Sequence, residues 1–393
     1  MNRLSRLRFP SFRLDRRTAA GLALAVAVFL GSWALLHLSV FSPNQLGDTP
    51  VYQDYGYAMR VREVPYRDFS VEYPPGALVA FLAPTFFTSN YSEEFGWLMA
   101  ACGVASLLFV ALARATRPAV AFVAVSPLLI GSLAFSRFDF YPTAFVVAAI
   151  AAFARDRHGL GWAALGAAFA IKLFAAALVP LALIWTLRRR GPSAAARGLA
   201  IWIAVVEAAF IPFLIASPHG LWKSVSGQLS RPLQIESLGA SFLMTFGHPH
   251  VIATHGSLNL SGHGAIGASL AVLSLATMAA LWISFARGPA DPERFMRYSA
   301  ACICAFVAFG KVLSPQFLIW LVPIVPLTRG RRGIAATALL AAALVDTEVW
   351  FPSRYYGYVY HQHLAWLVLV RDLLLVALLA VLSLPARGRL RTR

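Results

Sequence analysis

MNRLSRLRFPSFRLDRR (residues 1–17) runs directly into TAAGLALAVAVFLGSWALLHLSV (18–40). Six arginines and one acid thus precede 23 residues that contain no Asp, Glu, Lys or Arg. A helix of that length spans the roughly 30 Å hydrocarbon core of a bilayer, and it is too long for the core of a signal peptide. The arginines set its start on the cytoplasmic side by the positive-inside rule. The stretch reads as a first membrane span, and the rest of the chain repeats the pattern.

Across 393 residues, 59% are hydrophobic and 13% charged, with mean hydropathy +0.67. An ordinary soluble domain has roughly 45–50% and 25%, so a soluble globular fold is excluded. The net charge of +17 would suit a nucleic-acid partner only if the basic residues were gathered on one face. They fall instead in short clusters between apolar blocks, at 113–118, 155–158, 188–197, 286–297, 328–333 and the carboxy-terminal tail.

If every such cluster faces the cytoplasm, the spans between them come in pairs. The trace is then 18–40, 95–113, 118–135, 139–154, 160–171, 173–187, 198–216, 265–286, 298–310, 316–328, 333–349 and 364–384. The expected fold is an all-α integral membrane bundle of about twelve transmembrane helices with both termini cytoplasmic. Its cytoplasmic side carries 24 arginines and four acids, and its outer side six arginines, three lysines and eleven acids. This asymmetry accounts for the basic balance without any anionic macromolecule.

A single transmembrane domain, 18–385, then lies between a cytoplasmic Arg-rich tail (1–17) and a cytoplasmic basic tail (386–393), with outer loops 41–94, 217–264 and 350–363. Residues 160–187 and 298–328 are each too short for two ordinary spans, so each is expected to be a hairpin of half-spans. One turns near Lys172 and the other at Gly310–Gln316. Irregular backbone at membrane depth is tolerated where it lines a protein cavity, which directs Lys172 and Lys311 toward an outer pocket. Residues 74–87 are too short and too proline-rich to span and are read as a helix at the outer interface.

Cys102, Cys302 and Cys304 lie in apolar segments and offer no disulfide framework. His248, His250, His255 and His263 match no zinc spacing. No metal and no cofactor are expected. The ionisable residues of the outer segments are the informative ones: Asp48, Glu72 and Asp139 with Arg137, Arg231 and all three lysines of the chain. A carboxylate within reach of a hydroxyl acts as a general base, and cations around a phosphate stabilise it as a leaving group. Because a phosphate ester departs as an anion, one base and several cations suffice for sugar transfer from a lipid-linked phosphosugar. Ordinary glycoside hydrolysis needs a second carboxylic acid.

Gly47-Asp48-Thr49-Pro50-Val51-Tyr52, Val64-Pro65-Tyr66-Arg67-Asp68-Phe69 and Val71-Glu72-Tyr73-Pro74-Pro75-Gly76 together resemble the first outer loop of glycosyltransferase family 87, multi-pass enzymes of the GT-C fold. Phe135-Ser136-Arg137-Phe138-Asp139 resembles the family's second acidic loop, and Ala170-Ile171-Lys172 its hairpin lysine. Arg231 through Ser237 and Lys311 through Trp320 are the most specific matches. The resemblance implies a bacterial plasma-membrane enzyme that transfers a sugar, mannose or another hexose, from a polyprenyl-phosphate donor by an inverting single displacement. The acceptor would be a hydroxyl of a glycolipid, polysaccharide or protein on the extracytoplasmic face. It assigns Asp48 as the catalytic base.

Tyr52, Glu72, Tyr73, Arg137, Asp139, Lys172, Arg231, Gln234, Glu236, Lys311 and Gln316 are the expected substrate-binding residues. Each has a plainer reading: a turn former for Asp48, a helix cap for Asp139, snorkelling for Lys172 and Lys311, and a surface bridge between Arg231 and Glu236. Tyr355, Tyr356, Tyr358 and Tyr360 read as an interfacial aromatic belt. At the level of the whole protein the rivals are a multi-pass secondary transporter or flippase, or a non-catalytic subunit of an envelope-assembly complex. Transporters usually show repeated halves, and none are visible here.

Overall fold

In the computed structural model, which describes residues 15–38, 47–87, 90–113 and 115–384, each apolar block read from the sequence is helical. The basic tails fall almost wholly outside these residues. In chain order the first helices are α1 (Arg16–Leu35), α2 (Thr49–Arg60), α3 (Leu78–Leu82), α4 (Tyr91–Leu112), α5 (Arg117–Ile130), α6 (Leu133–Ser136), α7 (Phe140–Ala154) and α8 (His158–Ile171). They are followed by α9 (Val179–Arg190), α10 (Pro192–Ala216), α11 (Pro218–Leu229), strand β1 (Leu233–Gln234), α12 (Leu238–Phe246) and strands β2 (Val251–Thr254) and β3 (Ser257–Leu260). The remainder is α13 (Gly264–Arg287), α14 (Pro292–Ala308), α15 (Leu318–Leu321), α16 (Gly330–Trp350), α17 (Tyr355–His361) and α18 (Ala365–Ser383).

Helix starts follow local chemistry. Asp15, Asn90 and Asp291 each accept a backbone N–H of the first turn, at 2.7, 3.2 and 2.9 Å, satisfying donors that a helix leaves open at its amino end. Among the described residues six helices are long and apolar enough to cross a membrane by themselves: α1, α4, α10, α13, α16 and α18. The expected hairpin at Lys172 is a break in the helix: α8 stops at Ile171, Lys172 is extended, and a 3₁₀ segment (Leu173–Leu178) leads into α9. The second expected hairpin is likewise irregular, with 3₁₀ turns at Pro315–Phe317 and Val325–Leu327 flanking α15.

These broken segments are buried in protein, as membrane depth demands. They pack on α14, which is buried on every face from Tyr298 to Ala305 and forms the centre of the bundle. Around it, α7 packs between α4 and α8, α16 pairs with α18, and α10 lies outermost against α8 with its apolar side chains facing outward.

Two details refine the sequence reading. Residues 74–87 hold the short apolar helix expected in the outer loop, exposed on one side through Val79, Phe86 and Phe87 and packed into the protein on the other. Ala77, Leu78, Ala80 and Phe81 are buried, and Gly56 of α2 lets Phe81 come so close that a Cβ there would sit 2.3 Å from its carbonyl oxygen. The outer segment 217–264 also holds a three-stranded antiparallel sheet in the order β1-β3-β2, pairing Gln234 with Asn259 and Thr254 with Ser257. Strands of two to four residues carry too little alternation to be read from sequence. The His255-Gly256 turn, with φ of 53° and 63°, is the hairpin signal that was available.

Candidate active site

The predicted site residues come from six separate stretches of chain, and they meet at the bundle end opposite the Arg-rich clusters. Asp48 immediately precedes α2 and makes no capping bond with its side chain, so its carboxylate is free to turn outward. It pairs with the guanidinium of Arg137, and Tyr52, one helical turn on, offers its hydroxyl to the same carboxylate oxygen at 3.4 Å. Thr49 Oγ1 donates to the Ser136 carbonyl at 3.2 Å, fixing α2 against the loop that carries Arg137.

The Tyr52 ring is buried in an aromatic cluster. It stacks on Phe81 at 4.5 Å and meets Tyr73 and Phe138 edge-on at 5.8 and 5.6 Å. Burial raises the Tyr52 and Tyr73 phenols above their ordinary range, so both act as neutral hydrogen-bond donors.

Asp139 stands at the amino end of α7 but does not cap it; the cap reading is corrected. Its carboxylate is fully buried, and Oδ1 accepts from Lys172 Nζ at 2.7 Å and from Trp320 Nε1 at 2.6 Å, while Oδ2 has no hydrogen-bond partner. Lys172 does not snorkel either. Its ammonium lies 4.5 Å from the centre of the Phe138 ring, 5.1 Å from Trp320 and 5.3 Å from Phe317. Trp320 itself is stacked between Phe174 and Phe317 at 3.9 and 4.1 Å.

The two carboxylates are therefore differently placed. The Asp48 side chain is 34% exposed and the Asp139 side chain 0%. A base has to be reached by the hydroxyl it deprotonates, and of the two Asp48 is accessible.

The segments 231–237 and 311–316, far apart in sequence, are joined edge to edge. Gln234 donates its backbone N–H to the Lys311 carbonyl at 3.0 Å and its side-chain amide to Ser314 Oγ at 2.8 Å. Lys311 Nζ donates to the Leu229 carbonyl at 2.8 Å. Arg231 reaches Ser257 on β3 at 2.8 Å and leaves its Nε buried without a partner. It makes no bridge to Glu236, so that alternative is also corrected. The oxygens Gln234 Oε1 and Gln316 Oε1 are buried and unpartnered as well. The Glu72 carboxylate lies over Gly256 at the β2–β3 turn, close enough to attract Arg231. Arg137 and Arg231 are near enough to Lys172, and Arg231 to Lys311, for their charges to repel. The four predicted cations thus share one region.

Glu236 is buried; Oε1 accepts from the Tyr355 hydroxyl at 2.9 Å and Oε2 has no partner. Burial pushes its carboxyl up to about 7, against the smaller opposing influence of the Tyr355 bond and of Arg371 and Arg231. The folded protein consequently binds a proton that the unfolded chain releases near pH 4.5. Stability should fall as pH rises from about 4.5 to 7 and be flat above that, and Glu236→Gln should remove this slope. Thermal unfolding of both proteins between pH 4.5 and 8 checks it: parallel curves would assign the pH dependence to other groups.

The predicted aromatic belt divides. Tyr355 and Tyr358 point inward, Tyr358 donating to the Ile235 carbonyl at 2.6 Å, while Tyr356 and Tyr360 are exposed. Residues to which the sequence reading gave no role adjoin the site. Arg371 and Asp372 in α18 form a fully buried pair at 2.7 Å, Arg371 also donates to the Glu236 carbonyl at 2.6 Å, and Ser241 donates to Asp372 at 2.6 Å. An adjacent Arg-Asp inside an apolar 19-residue helix is itself a functional signal. Trp320 closes the Lys311–Trp320 stretch and had no role assigned; its indole is the second donor to Asp139.

A family model described as glycosyltransferase family 87 matches residues 71–315. That range includes Arg137, Asp139, Lys172, Arg231, Gln234, Glu236 and Lys311, while Asp48, Tyr52 and Gln316 lie outside it. No curated protein matches the chain. Among solved structures the fold is similar to ArnT from Cupriavidus metallidurans, described in complex with undecaprenyl phosphate, with a TM-score of 0.52 and 15% identity over 93% of this chain and 77% of that one. At that identity the likeness is one of fold, and the fold is GT-C.

Proposed function

Because the chain belongs to glycosyltransferase family 87, we propose that it transfers a hexose, mannose foremost, from a polyprenyl-phosphate carrier to an acceptor hydroxyl on the extracytoplasmic face, with Asp48 as the base. The observation that carries this reading is the pairing of an accessible carboxylate, Asp48, with a cluster of four cations at one end of the bundle. Asp48 takes the proton of the acceptor hydroxyl. The oxygen attacks the anomeric carbon from the face opposite the phosphate, and the carbon–oxygen bond to phosphate breaks with its electron pair, releasing polyprenyl phosphate and inverting the centre. Arg231, with an unpartnered buried Nε, and Lys311 beside it are the cations to meet the phosphate, and Arg137 orients Asp48. Gln234, Glu236, Gln316 and Glu72 present polar atoms to the sugar and the acceptor.

Two further points support a lipid-linked donor. The undecaprenyl phosphate of the structurally similar ArnT is one. The other is an apolar groove of about 810 Å³ between α4, α7 and α8, lined by Cys102, Phe109, Tyr141, Ala148, Ala163 and Ala164 among others. Tyr141 places one end of this groove within the first turn of α7, the turn that Asp139 precedes, and in the proposed reading a prenyl chain follows the apolar face of α7 away from the site. Ala148→Trp should fill the groove and raise KM for a long-chain polyprenyl donor about tenfold, on the order of 1.4 kcal/mol, with a smaller effect on a short-chain analogue. Equal effects on both donors would separate the groove from the prenyl chain.

The direct test is transfer by the purified protein in nanodiscs, with polyprenyl-phosphate mannose or glucose and envelope glycolipid acceptors, followed by mass spectrometry. Formation of a glycosylated product with release of polyprenyl phosphate is expected. Carrier-sugar flux across the bilayer without any covalent product would favour the transporter reading.

A further inference from the structure

A second cavity, of about 720 Å³, lies where the carboxy ends of α13 and α18 meet the amino ends of α14 and α16. Helix α16 starts at this cavity and ends at Trp350 beside Arg371, so its 21 residues set the cavity about 30 Å from the candidate active site. The two lie at opposite ends of the helix bundle.

Five arginines line the cavity, Arg294, Arg297, Arg329, Arg331 and Arg332, against two acids, Asp291 and Glu293. Both acids are engaged: Asp291 accepts the Arg294 N–H at 2.9 Å and Glu293 pairs with Arg329 at 2.7 Å. Arg294 donates to the Phe285 carbonyl at 2.8 Å and Arg297 to the Leu382 carbonyl, so these two close the carboxy ends of α13 and α18. Among the described lining residues the five arginines exceed the two acids by three positive charges, Arg331 and Arg332 contributing two of the five cations at the start of α16.

Lipid-facing side chains frame this polar opening. Ile283, next to Ser284, is 51% exposed; Ile334, two residues beyond Arg332, is 72% exposed; and Leu384, next to Ser383, is 57% exposed. A soluble anion gains nothing from such a frame. An amphiphile with a phosphate at its polar end gains from both parts, and basic pockets between helix ends on the cytoplasmic side are suited to anionic headgroups.

We propose that this cavity binds the phosphate headgroup of an anionic membrane phospholipid, with its acyl chains along Ile283 and Ile334. Arg331 and Arg332 attract the phosphate, and Arg294 and Arg297 form the floor. The site is separate from the transfer reaction and holds whether or not that reading does.

The test is a lipid titration of the delipidated full-length protein in detergent, followed by native mass spectrometry, with phosphatidylglycerol, phosphatidylcholine of the same chains, and inorganic phosphate as a competitor. Phosphatidylglycerol should bind about tenfold or more tightly than phosphatidylcholine, and Arg331→Gln/Arg332→Gln should abolish the preference. Arg331→Lys/Arg332→Lys should keep most of it, and inorganic phosphate should displace none of the lipid. Equal binding of the two lipids, or an undiminished preference in the glutamine variant, would overturn the proposal. Displacement by inorganic phosphate would assign the cavity to a soluble anion instead. Should the glutamine variant fail to fold, the wild-type lipid preference and the lysine variant still decide.

Discussion

Asp48→Asn is expected to slow sugar transfer by roughly two to four orders of magnitude, the usual worth of a positioned general base, while the protein remains folded. The amide preserves the shape of the side chain and its bond to Tyr52 but cannot accept the acceptor's proton. The affected constant should be kcat, with donor KM nearly unchanged, because in the proposed arrangement Arg231 and Lys311 meet the carrier phosphate. Asp48 is a third exposed while its partner Arg137 is buried, so the asparagine, which keeps an oxygen toward the guanidinium but no charge, also carries a stability cost that the unfolding control measures. Asp48→Glu, which keeps the carboxylate on a longer arm, should recover part of the rate. Initial-rate measurements on the three proteins, with thermal unfolding as a control, decide the matter; an asparagine variant with wild-type turnover would remove Asp48 from the chemistry.

Lys172→Met should instead act first on stability. It leaves the fully buried Asp139 carboxylate held by the Trp320 indole without its cation, and stripping one partner from a buried pair costs about 3–5 kcal/mol. Asp139→Asn should cost a comparable amount, since it leaves an ammonium against aromatic rings. The double variant Asp139→Asn/Lys172→Met removes both charges together, and it should regain much of the lost stability because replacing a whole buried pair is often neutral. Transfer activity should not return with it if the pair serves the site and not merely the fold. Unfolding temperatures for the two single variants and the double variant, beside their transfer rates, separate these roles. Additive losses of stability would show that the two side chains do not act as a pair.

Both predictions concern residues that the sequence identified by type and sidedness and could not pair. Asp48 and Arg137 are 89 positions apart, and Asp139 and Trp320 are 181 apart. From the sequence, Lys172 and Lys311 were cations free to meet a phosphate. In the folded protein Lys172 holds a carboxylate within an aromatic enclosure, whereas Lys311 is positioned by one bond to the Leu229 carbonyl and keeps two further donors. Arg371 and Asp372 were legible as an unusual pair within a span, yet nothing local says that they hold the Glu236 carbonyl. The small sheet was missed because its strands are two to four residues long and are specified by pairing, not by periodicity.

The sequence by itself determined the membrane fold and the placing of arginine clusters between its helices, because hydrophobic length and charge spacing act locally: a span needs about 20 apolar residues wherever it sits. It also determined where the helices break, since Lys172 and the Gly310–Gln316 insert interrupt apolar runs that are otherwise continuous. Tertiary structure alone decided which of the two aspartates is open to a substrate and which is sealed against a lysine and an indole. Burial and pairing are properties of what surrounds a side chain, and those surroundings are assembled from segments that the sequence keeps far apart.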